Sequence, residues 1–214
     1  MPERSNGAVL KTAISERVSK VRILPPPLLM DIVQKIKIFV EEECKKPTSK
    51  YGYEPFEYHF VPMVSCAEEL ADKLGGDKEI IQISAWLHDI GSIIYGREDH
   101  HITGAEIAEK KLKEMGYPNN KIDLVKKCIV NHRGSQNRER GTIEEKIIVE
   151  ADAMSNFSNI SGIFKAALVY EGMEQGEAKT SVKEKLERKW NQLSFEESKE
   201  IVRQKYEAAM LLLN

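Results

Sequence analysis

Histidine is the residue type whose distribution along this 214-residue chain first points to chemistry. The chain has five histidines, and all of them fall between residues 59 and 132. An imidazole ring can ligate a metal ion or move a proton near neutral pH, so several rings in one region predict a metal or acid–base site. The five are His59, His88, His100, His101 and His132.

Helical spacing predicts that two of these histidines point inward. His132 follows Ile129 by three residues and so continues the apolar stripe of one helix face. His59 precedes Met63 by four residues and shares the face of another. A single inward histidine is usually a structural core residue whose ring nitrogens are hydrogen-bonded. The prediction of a functional site therefore depends on several histidines occurring together and not on any one of them.

Two aspartates are predicted to share this inward environment. Asp89 borders the stripe that contains Trp86 and Ile90, and Asp152 follows Ile148 by four residues. Burying a carboxylate costs free energy unless it is paired or coordinates a metal. Because the nearby inward positions carry histidine and not lysine or arginine, the pattern favours a metal site.

The elements that must position these side chains are all predicted to be helices. Apolar residues recur at helical spacing in successive segments, and no convincing run of alternating strand residues is present. Gly75 and Gly76 are typical of a helix end, and Thr142 with Glu145 is typical of a capping box at a helix start. The predicted helices cover residues 28–43, 56–74, 77–94, 103–115, 120–132, 181–193 and 194–213, with another opening at 142. The predicted fold class is all-α.

Composition and charge narrow the class of protein. Hydrophobic residues make up 41% of the chain and charged residues 31%, which is typical of a globular protein. The formal net charge of -2 predicts no broad field for polymeric nucleic acid, and no segment is long and apolar enough to cross a membrane. The three cysteines are far apart, which disfavours disulfides and a thiolate zinc site and predicts a reducing, cytoplasmic location. They are Cys44, Cys66 and Cys128.

A set of motifs appears in a fixed order along the chain. The segment A-W-L-H-D-I-G, residues 85–91, resembles the signature of the HD superfamily of metal-dependent phosphohydrolases. His59 lies upstream of it, and three segments follow: H-H-I-T-G-A-E-I-A (100–108), C-I-V-N-H-R (128–133) and I-V-E-A-D-A-M (148–154). The resemblance, in the order H…HD…H…H…D, implies a compact HD-domain helical bundle with additional N- and C-terminal helices.

The resemblance also implies a ligand set. It assigns to a first metal ion His59, His88, Asp89 and Asp152. Asp89 would bridge to a second ion held by His132 and by either His100 or His101. His100 is favoured because it stands four residues before Gly104, where the small side chains leave room for a neighbouring element. His101 would then contact the substrate or a metal-bound water.

The implied cofactor is one or two divalent transition-metal ions, among Mn, Fe, Co, Ni and Zn, because imidazole ligands favour these over Mg. The implied reaction is attack of a metal-activated hydroxide on phosphorus. Arg133, next to His132, is the first candidate for a phosphate clamp, and Arg97 and Lys146 are weaker ones. Asp89 and His101 are the candidates for a general acid. The expected substrate is a small phosphorylated molecule: a phosphomonoester, a nucleotide or a related phosphate.

The chain departs from the common family pattern at two places, and this leaves the substrate open. No arginine follows His59 closely, and Ser155 stands where many members have a second aspartate. Two other functions share the same ligand set. One is a mixed-valent di-iron oxygenase, and the other is a non-catalytic, metal-stabilised regulatory module.

The predicted domain organisation is an N-terminal arm, residues 1–27, followed by a single HD-type helical domain, residues 28–214. Within the domain, residues 55–160 would contain the ligands and residues 161–214 the C-terminal helices. These helices could cover the pocket or build a homodimer. The stretch of residues 177–207, rich in lysine and glutamate, is predicted to be a solvated helix face without a partner.

Overall fold

The computed structural model of the chain describes residues 31–133 and 139–214. The proposed N-terminal arm, residues 1–27, lies outside the described residues. Within them the chain forms helices and no strand, which confirms the all-α class. The α-helices are α1 (Ile32–Lys45), α2 (Val61–Leu74), α3 (Lys78–Leu87), α4 (Ile90–Tyr95), α5 (His100–Glu114), α6 (Asn119–Asn131), α7 (Ile143–Ser155), α8 (Ile160–Lys165), α9 (Gln175–Gln192) and α10 (Glu196–Leu213).

Side-chain caps fix the starts of several helices. The carboxylate of Asp77 accepts hydrogen bonds from the first turn of α3, and Asp31 accepts one from the first turn of α1. At α7, Thr142 and Glu145 form the capping box that the sequence predicts. Each such cap satisfies backbone N–H groups that have no partner within the helix, and contributes about 0.5–2 kcal/mol.

The core lies between α2, α3, α5, α6 and α7. Its largest fully buried side chains include Phe60, Met63, Leu87 and Ile129, each of which precedes or follows a histidine of the predicted site by one to four residues. Burying an apolar side chain of this size stabilises the fold by about 1.5–3 kcal/mol. The apolar core therefore holds the helix ends that carry the histidines.

The predicted single helix over residues 77–94 is wrong, because the chain breaks at His88 and Asp89. Helix α3 ends at Leu87, α4 begins at Ile90, and Asp89 has φ −111° and ψ 13°. The break turns the Asp89 carboxylate away from the path of a continuous helix. The apolar stripe runs across the break, so hydrophobic spacing alone does not show it.

Close packing follows the break, between Gly91 and Gly104, and the sequence predicts room for a neighbouring element at Gly104. A Cβ atom on Gly91 would lie 2.3 Å from the carbonyl oxygen of His100 and 2.7 Å from the backbone nitrogen of Gly104. A side chain has no room there, so only glycine lets α4 cross the start of α5 in backbone contact. This crossing places His100 close to Asp89.

The C-terminal helices pack onto the helix that carries Asp152. Ser194, in the turn between α9 and α10, donates hydrogen bonds from its backbone nitrogen and its hydroxyl to the buried carboxylate of Glu150, each at 2.7 Å. Between α7 and α9 lie a 3₁₀ turn (Asn156–Ser158), α8 and a π-helical segment (Ala166–Tyr170). Among the described residues, no helix combines the length and apolar character needed to cross a lipid bilayer.

Candidate metal centre

Side chains of the ligand type converge in two clusters. The first consists of His59, His88 and Asp152, and the second of Asp89, His100 and His132. The Nε2 atoms of His59 and His88 are 3.0 Å apart, and those of His100 and His132 are 3.2 Å apart. Within each cluster one potential ligand atom per residue lies within 4.8 Å of the others, which is close enough to share one ion.

Asp89 joins the two clusters through its carboxylate. Its Oδ2 atom lies 3.5 Å from the Nε2 atoms of both His59 and His88. Its Oδ1 atom lies 3.2 Å from Nε2 of His100 and 3.3 Å from Nε2 of His132. One oxygen therefore faces each cluster, which is the arrangement that a bridging carboxylate requires.

Each of these residues lies at an interruption or an end of a helix, apart from Asp152 within α7. His59 belongs to a π-helical segment, Phe56–Phe60, which runs directly into α2. His88 and Asp89 form the break between α3 and α4, His100 begins α5, and His132 follows the last residue of α6. Such interruptions let side chains from several helices point at one place, and π turns are frequent at functional sites.

Three of the imidazoles are fixed by main-chain carbonyl groups. The Nδ1 atoms of His88, His100 and His132 lie 2.9, 2.8 and 2.6 Å from the carbonyl oxygen of the residue three positions earlier. A carbonyl oxygen only accepts, so each Nδ1 carries a hydrogen, and in the neutral ring Nε2 then keeps its lone pair. This is the tautomer that ligates a metal through Nε2, with the second nitrogen anchored.

His59 is fixed by a side chain instead. Its Nδ1 atom lies 3.2 Å from the Oγ atom of the fully buried Ser155. The Ser155 hydroxyl donates to the carbonyl oxygen of Asp152 at 2.8 Å, so its oxygen accepts the hydrogen of His59 Nδ1. The sequence marked Ser155 only as a departure from the family pattern, and its role as the anchor of His59 was missed.

The charges of the site are set by burial and by mutual contact. Burial lowers the pKa of His88 to about 4, so this ring is neutral near pH 7. Burial would raise the pKa of Asp89, but the surrounding imidazoles, His88 first, hold it well below its usual range. For Asp152, too, burial is outweighed, by the positive charge of Lys189 and by His59, and its pKa is lowered. Burial alone would lower the pKa of His132, but the neighbouring Asp89 carboxylate raises it.

These residues fit a divalent metal ion. Asp89 Oδ1 is buried and makes no hydrogen bond within the described part of the chain, although two imidazole nitrogens lie within 3.3 Å of it. Lone pairs that face a carboxylate oxygen repel it unless a proton or a cation lies between them, and a buried carboxylate requires such a partner. Neutral imidazoles with carboxylates are the donors that divalent transition metals prefer.

The adjacent histidines His100 and His101 are separated by the fold. His100 belongs to the second cluster, whereas the buried His101 belongs to neither and does not line the cavity beside the clusters. Neighbouring residues on an α-helix point about 100° apart, so only one of the two can face Asp89. Of this adjacent pair, the structure therefore places His100, and not His101, beside Asp89.

A cavity of about 1180 Å³ opens beside the two clusters. Two of the candidate phosphate-binding residues, Arg133 and Arg97, line it, whereas Lys146 is exposed elsewhere on α7 and does not. Three cationic residues of α9 also line the cavity: Lys185, Arg188 and Lys189. Lys189 Nζ lies 2.9 Å from Asp152 Oδ2.

The prediction of a purely solvated face for residues 177–207 is thus wrong for one side of α9. Ala178, Val182 and Leu186 pack that helix into the protein, and the cations beside this buried stripe face the cavity. In the sequence, the only sign that these cations face the cavity was the position of Lys185 and Lys189 next to an apolar stripe. It was ambiguous, because lysines at the border of a buried face commonly extend into solvent.

Comparison with known proteins finds similarity over the part of the chain that contains both clusters. Residues 56–156 match the family model of the HD domain. The crystal structure of Bacillus subtilis YpgQ in complex with ADP shares the fold, with a TM-score of 0.62 and 20% sequence identity. The similarity covers 84% of this chain and 92% of that one.

Two curated relatives match shorter stretches. The tRNA (cytidine(56)-2'-O)-methyltransferase of Picrophilus torridus is 27% identical over an alignment of 139 residues, which covers 58% of this chain and 38% of that protein. An uncharacterized protein of Clostridium beijerinckii is 34% identical over an alignment of 79 residues, which covers 35% of this chain and 50% of that protein. The chain thus spans half or less of the curated relatives it matches.

Proposed function

We propose that the protein is a metal-dependent phosphohydrolase that acts on a phosphomonoester, a nucleotide or a related small phosphate. The observation that carries the proposal is the position of Asp89, with one carboxylate oxygen toward each cluster, in a cavity lined by lysine and arginine. Histidine and aspartate provide the ligands, and the cations of the wall suit an anionic substrate.

In this proposal the first cluster, together with Asp89, would hold one divalent transition-metal ion, and the second cluster would hold another. Metal ions bound there would supply Lewis acidity and activated water for phosphate chemistry. The protein itself contributes two things: it fixes the orientation of the histidine rings, so that their Nε2 atoms face the site, and it keeps Asp89 and Asp152 ionised.

Arg133 retains its proposed role as a phosphate clamp, because it directly follows His132 and lines the cavity. Neither Asp89 nor His101 is retained as a general acid. Both oxygens of Asp89 face the clusters, and His101 lies outside the cavity lining. Residues 28–214 are proposed to work as one domain, because α9 supplies part of the cavity wall.

A nucleotide is favoured among the small phosphates by two observations. The YpgQ structure, which has the same fold, was obtained in complex with ADP. In the protein described here, Tyr58 and Tyr170 line the cavity with rings that are 51% and 59% exposed. Exposed aromatic rings provide flat surfaces on which a nucleobase can stack.

The di-iron oxygenase and the regulatory module use the same ligands as the phosphohydrolase. The cationic wall favours the phosphohydrolase, because a phosphate substrate is always anionic, whereas an oxygenase or a regulatory module needs such a wall only if its own ligand is anionic. This feature favours phosphate chemistry over both.

The test is elemental analysis combined with phosphate release from a panel of phosphomonoesters and nucleotides. We expect about two transition-metal ions per chain, consistent with two ligand clusters, and Asp89→Asn should reduce both occupancies and phosphate release. Asp123→Asn, at an exposed position of α6, is the matched control and should change neither. A metal-loaded protein that releases phosphate from no member of the panel would refute the proposal, and bound iron with C–H oxidation would support the oxygenase.

A further inference from the structure

Lys185 is a cation without an acidic partner. It is half-buried on α9 and lines the cavity, and no carboxylate of the described residues pairs with it. Its neighbour Lys189, one helical turn on, is by contrast paired with Asp152. A half-buried ammonium that is left unpaired costs free energy, so its retention at this place requires an explanation.

Arg97 adds a second positive charge to the same wall. It lies between α4 and α5, lines the cavity, and makes no ion pair within the described residues. Burial, then the positive charges of Lys189 and Arg97, lower the pKa of Lys185, and the carboxylates of Asp152 and Glu171 offset this only in part. Two cations from different elements therefore repel each other across the cavity. An anion placed between them would relieve that repulsion.

The site of this repulsion is next to the candidate metal centre but not part of it. Lys185 is four residues from Lys189, about 6 Å along the helix axis, so it lies one turn beyond the residue that contacts Asp152. Arg97 is anchored beside the second cluster, because its carbonyl oxygen accepts from His100 Nδ1. A phosphoryl group at the clusters would leave Lys185 and Arg97 available for a different group of the same molecule.

We infer that Lys185 and Arg97 form an anion subsite that binds a second anionic group of the substrate. The inference rests on the proposed function for the reacting phosphate and adds the class of substrate, a small phosphorylated molecule with two separate anionic groups. The second group is a phosphate or a carboxylate, because both present oxygens that an ammonium and a guanidinium can bind.

The first test measures anion binding without metal and without turnover. Metal-free protein, prepared with a chelator that is then removed, is titrated calorimetrically with inorganic pyrophosphate. We expect binding by the wild type, by Lys185→Arg and by Lys179→Met, an exposed control on the same helix. Lys185→Met and Arg97→Met should each weaken it at least about tenfold, the effect of losing one charge-assisted contact worth about 1.4 kcal/mol or more.

Two results would overturn the subsite. One is the absence of pyrophosphate binding to the metal-free wild type, and the other is an unchanged Kd in both Lys185→Met and Arg97→Met. Arg97 is exposed, so its variant still decides the question if Lys185→Met does not fold. Because this experiment needs no catalysis, it tests the anion subsite independently of the hydrolase activity.

The second test identifies the second group with metal-loaded protein. KM is compared for a diphosphate ester, a monophosphate that also carries a carboxylate, and a simple neutral monophosphate ester. Lys185→Met should raise KM for one of the two doubly anionic substrates and leave KM for the simple ester unchanged. The substrate whose KM rises shows whether the second group is a phosphate or a carboxylate. An equal rise for all three would place Lys185 on the reacting phosphate and refute a separate subsite. Absence of turnover with every substrate would refute the hydrolase alone.

Discussion

The ammonium group of Lys189 lies 2.9 Å from Oδ2 of Asp152, while Oδ1 of the same carboxylate lies 3.8 Å from Nε2 of His59. Lys189 belongs to α9, beyond the segment 56–156 that matches the HD domain. A helix outside that segment therefore contacts a candidate metal ligand, and the cavity and the clusters form one unit.

Replacing Lys189 by methionine should destabilise the metal-free protein. The change leaves the partly buried Asp152 carboxylate without its cation, and a lost hydrogen bond to a charged group costs about 1.5–3 kcal/mol. A divalent metal ion should restore most of this loss, because it neutralises the same carboxylate. Urea unfolding with and without metal measures both effects.

The control for that measurement is Arg188→Met, at an exposed residue of the same helix that pairs loosely with Glu184 at 3.8 Å. An exposed pair of this kind contributes at most about 1 kcal/mol. If Lys189→Met and Arg188→Met unfolded at the same urea concentration, the contact with Asp152 would have no energetic role.

Ser155→Ala should weaken metal binding at the first cluster and leave the second unchanged. The substitution removes the oxygen that accepts from His59 Nδ1, and loss of such a partner typically costs about 10–100-fold in metal affinity. Competition with a chromophoric chelator measures the two affinities. Ser161→Ala, at an exposed position of α8, should match the wild type. An unchanged first affinity in Ser155→Ala would show that His59 needs no anchor.

Gly91→Ala should destabilise the protein and displace His100. The added Cβ atom would lie 2.3 Å from the His100 carbonyl oxygen, so α4 and α5 must move apart, and overpacking of this kind costs about 1–3 kcal/mol. Thermal unfolding and the affinity of the second cluster for metal should both fall. Gly176→Ala, in α9 with no atom within 4 Å of the added Cβ, is the matched control. It should unfold at the same temperature as the wild type or slightly higher.

The three cysteines should resist alkylation in the folded protein. Burial raises the pKa of Cys44 and Cys128 to about 12 and that of Cys66 to about 11. The thiolate is the reactive form, so iodoacetamide at pH 8 should modify the native protein far more slowly than the urea-unfolded one. Mass spectrometry of each cysteine peptide measures the rates. Native Cys66, the least buried of the three, reacting at the unfolded rate would contradict the prediction.

The raised pKa values of the three thiols also predict that the free energy of unfolding decreases at high pH. In the unfolded chain the thiols lose their protons near their ordinary pKa, about 8.5, whereas the folded chain keeps them until pH 11 or above. The folded state then binds more protons, so the contribution is present below pH 8.5 and is lost as pH rises toward 11. Unfolding free energies measured at pH 7 and pH 10 should show this decrease.

The residues that converge on Asp89 could be predicted from the sequence because their chemical types and their order are distinctive. His59, His88, His132 and Asp152 are brought together as expected, and His100 is the member of its pair that joins them. The break at Asp89 could not be predicted, because the apolar spacing of a helix continues through it. When the helical segments before and after a break are both buried, the periodicity of hydrophobic residues does not show that the chain changes direction between them.

The role of α9 was hidden for a different reason. Lysines beside an apolar stripe look the same in sequence whether they extend into solvent or face a cavity, and Lys185 and Lys189 do the second. Distance along the chain added to the difficulty, since Lys189 meets Asp152 across 37 residues. Only the packing of the whole bundle shows which lysines have an anionic neighbour and which have none.

The hydrogen bonds from His88, His100 and His132 to carbonyl groups of their own helical turns have a consequence for how such a protein can diverge. Main-chain atoms are common to all residue types, so mutation of neighbouring side chains does not redirect these rings. The cavity wall can therefore be exchanged, residue by residue, for a new substrate while the ligand geometry is inherited unchanged. His59 is the exception, because its orientation depends on one hydroxyl, and descendants that lose Ser155 must find another acceptor for it.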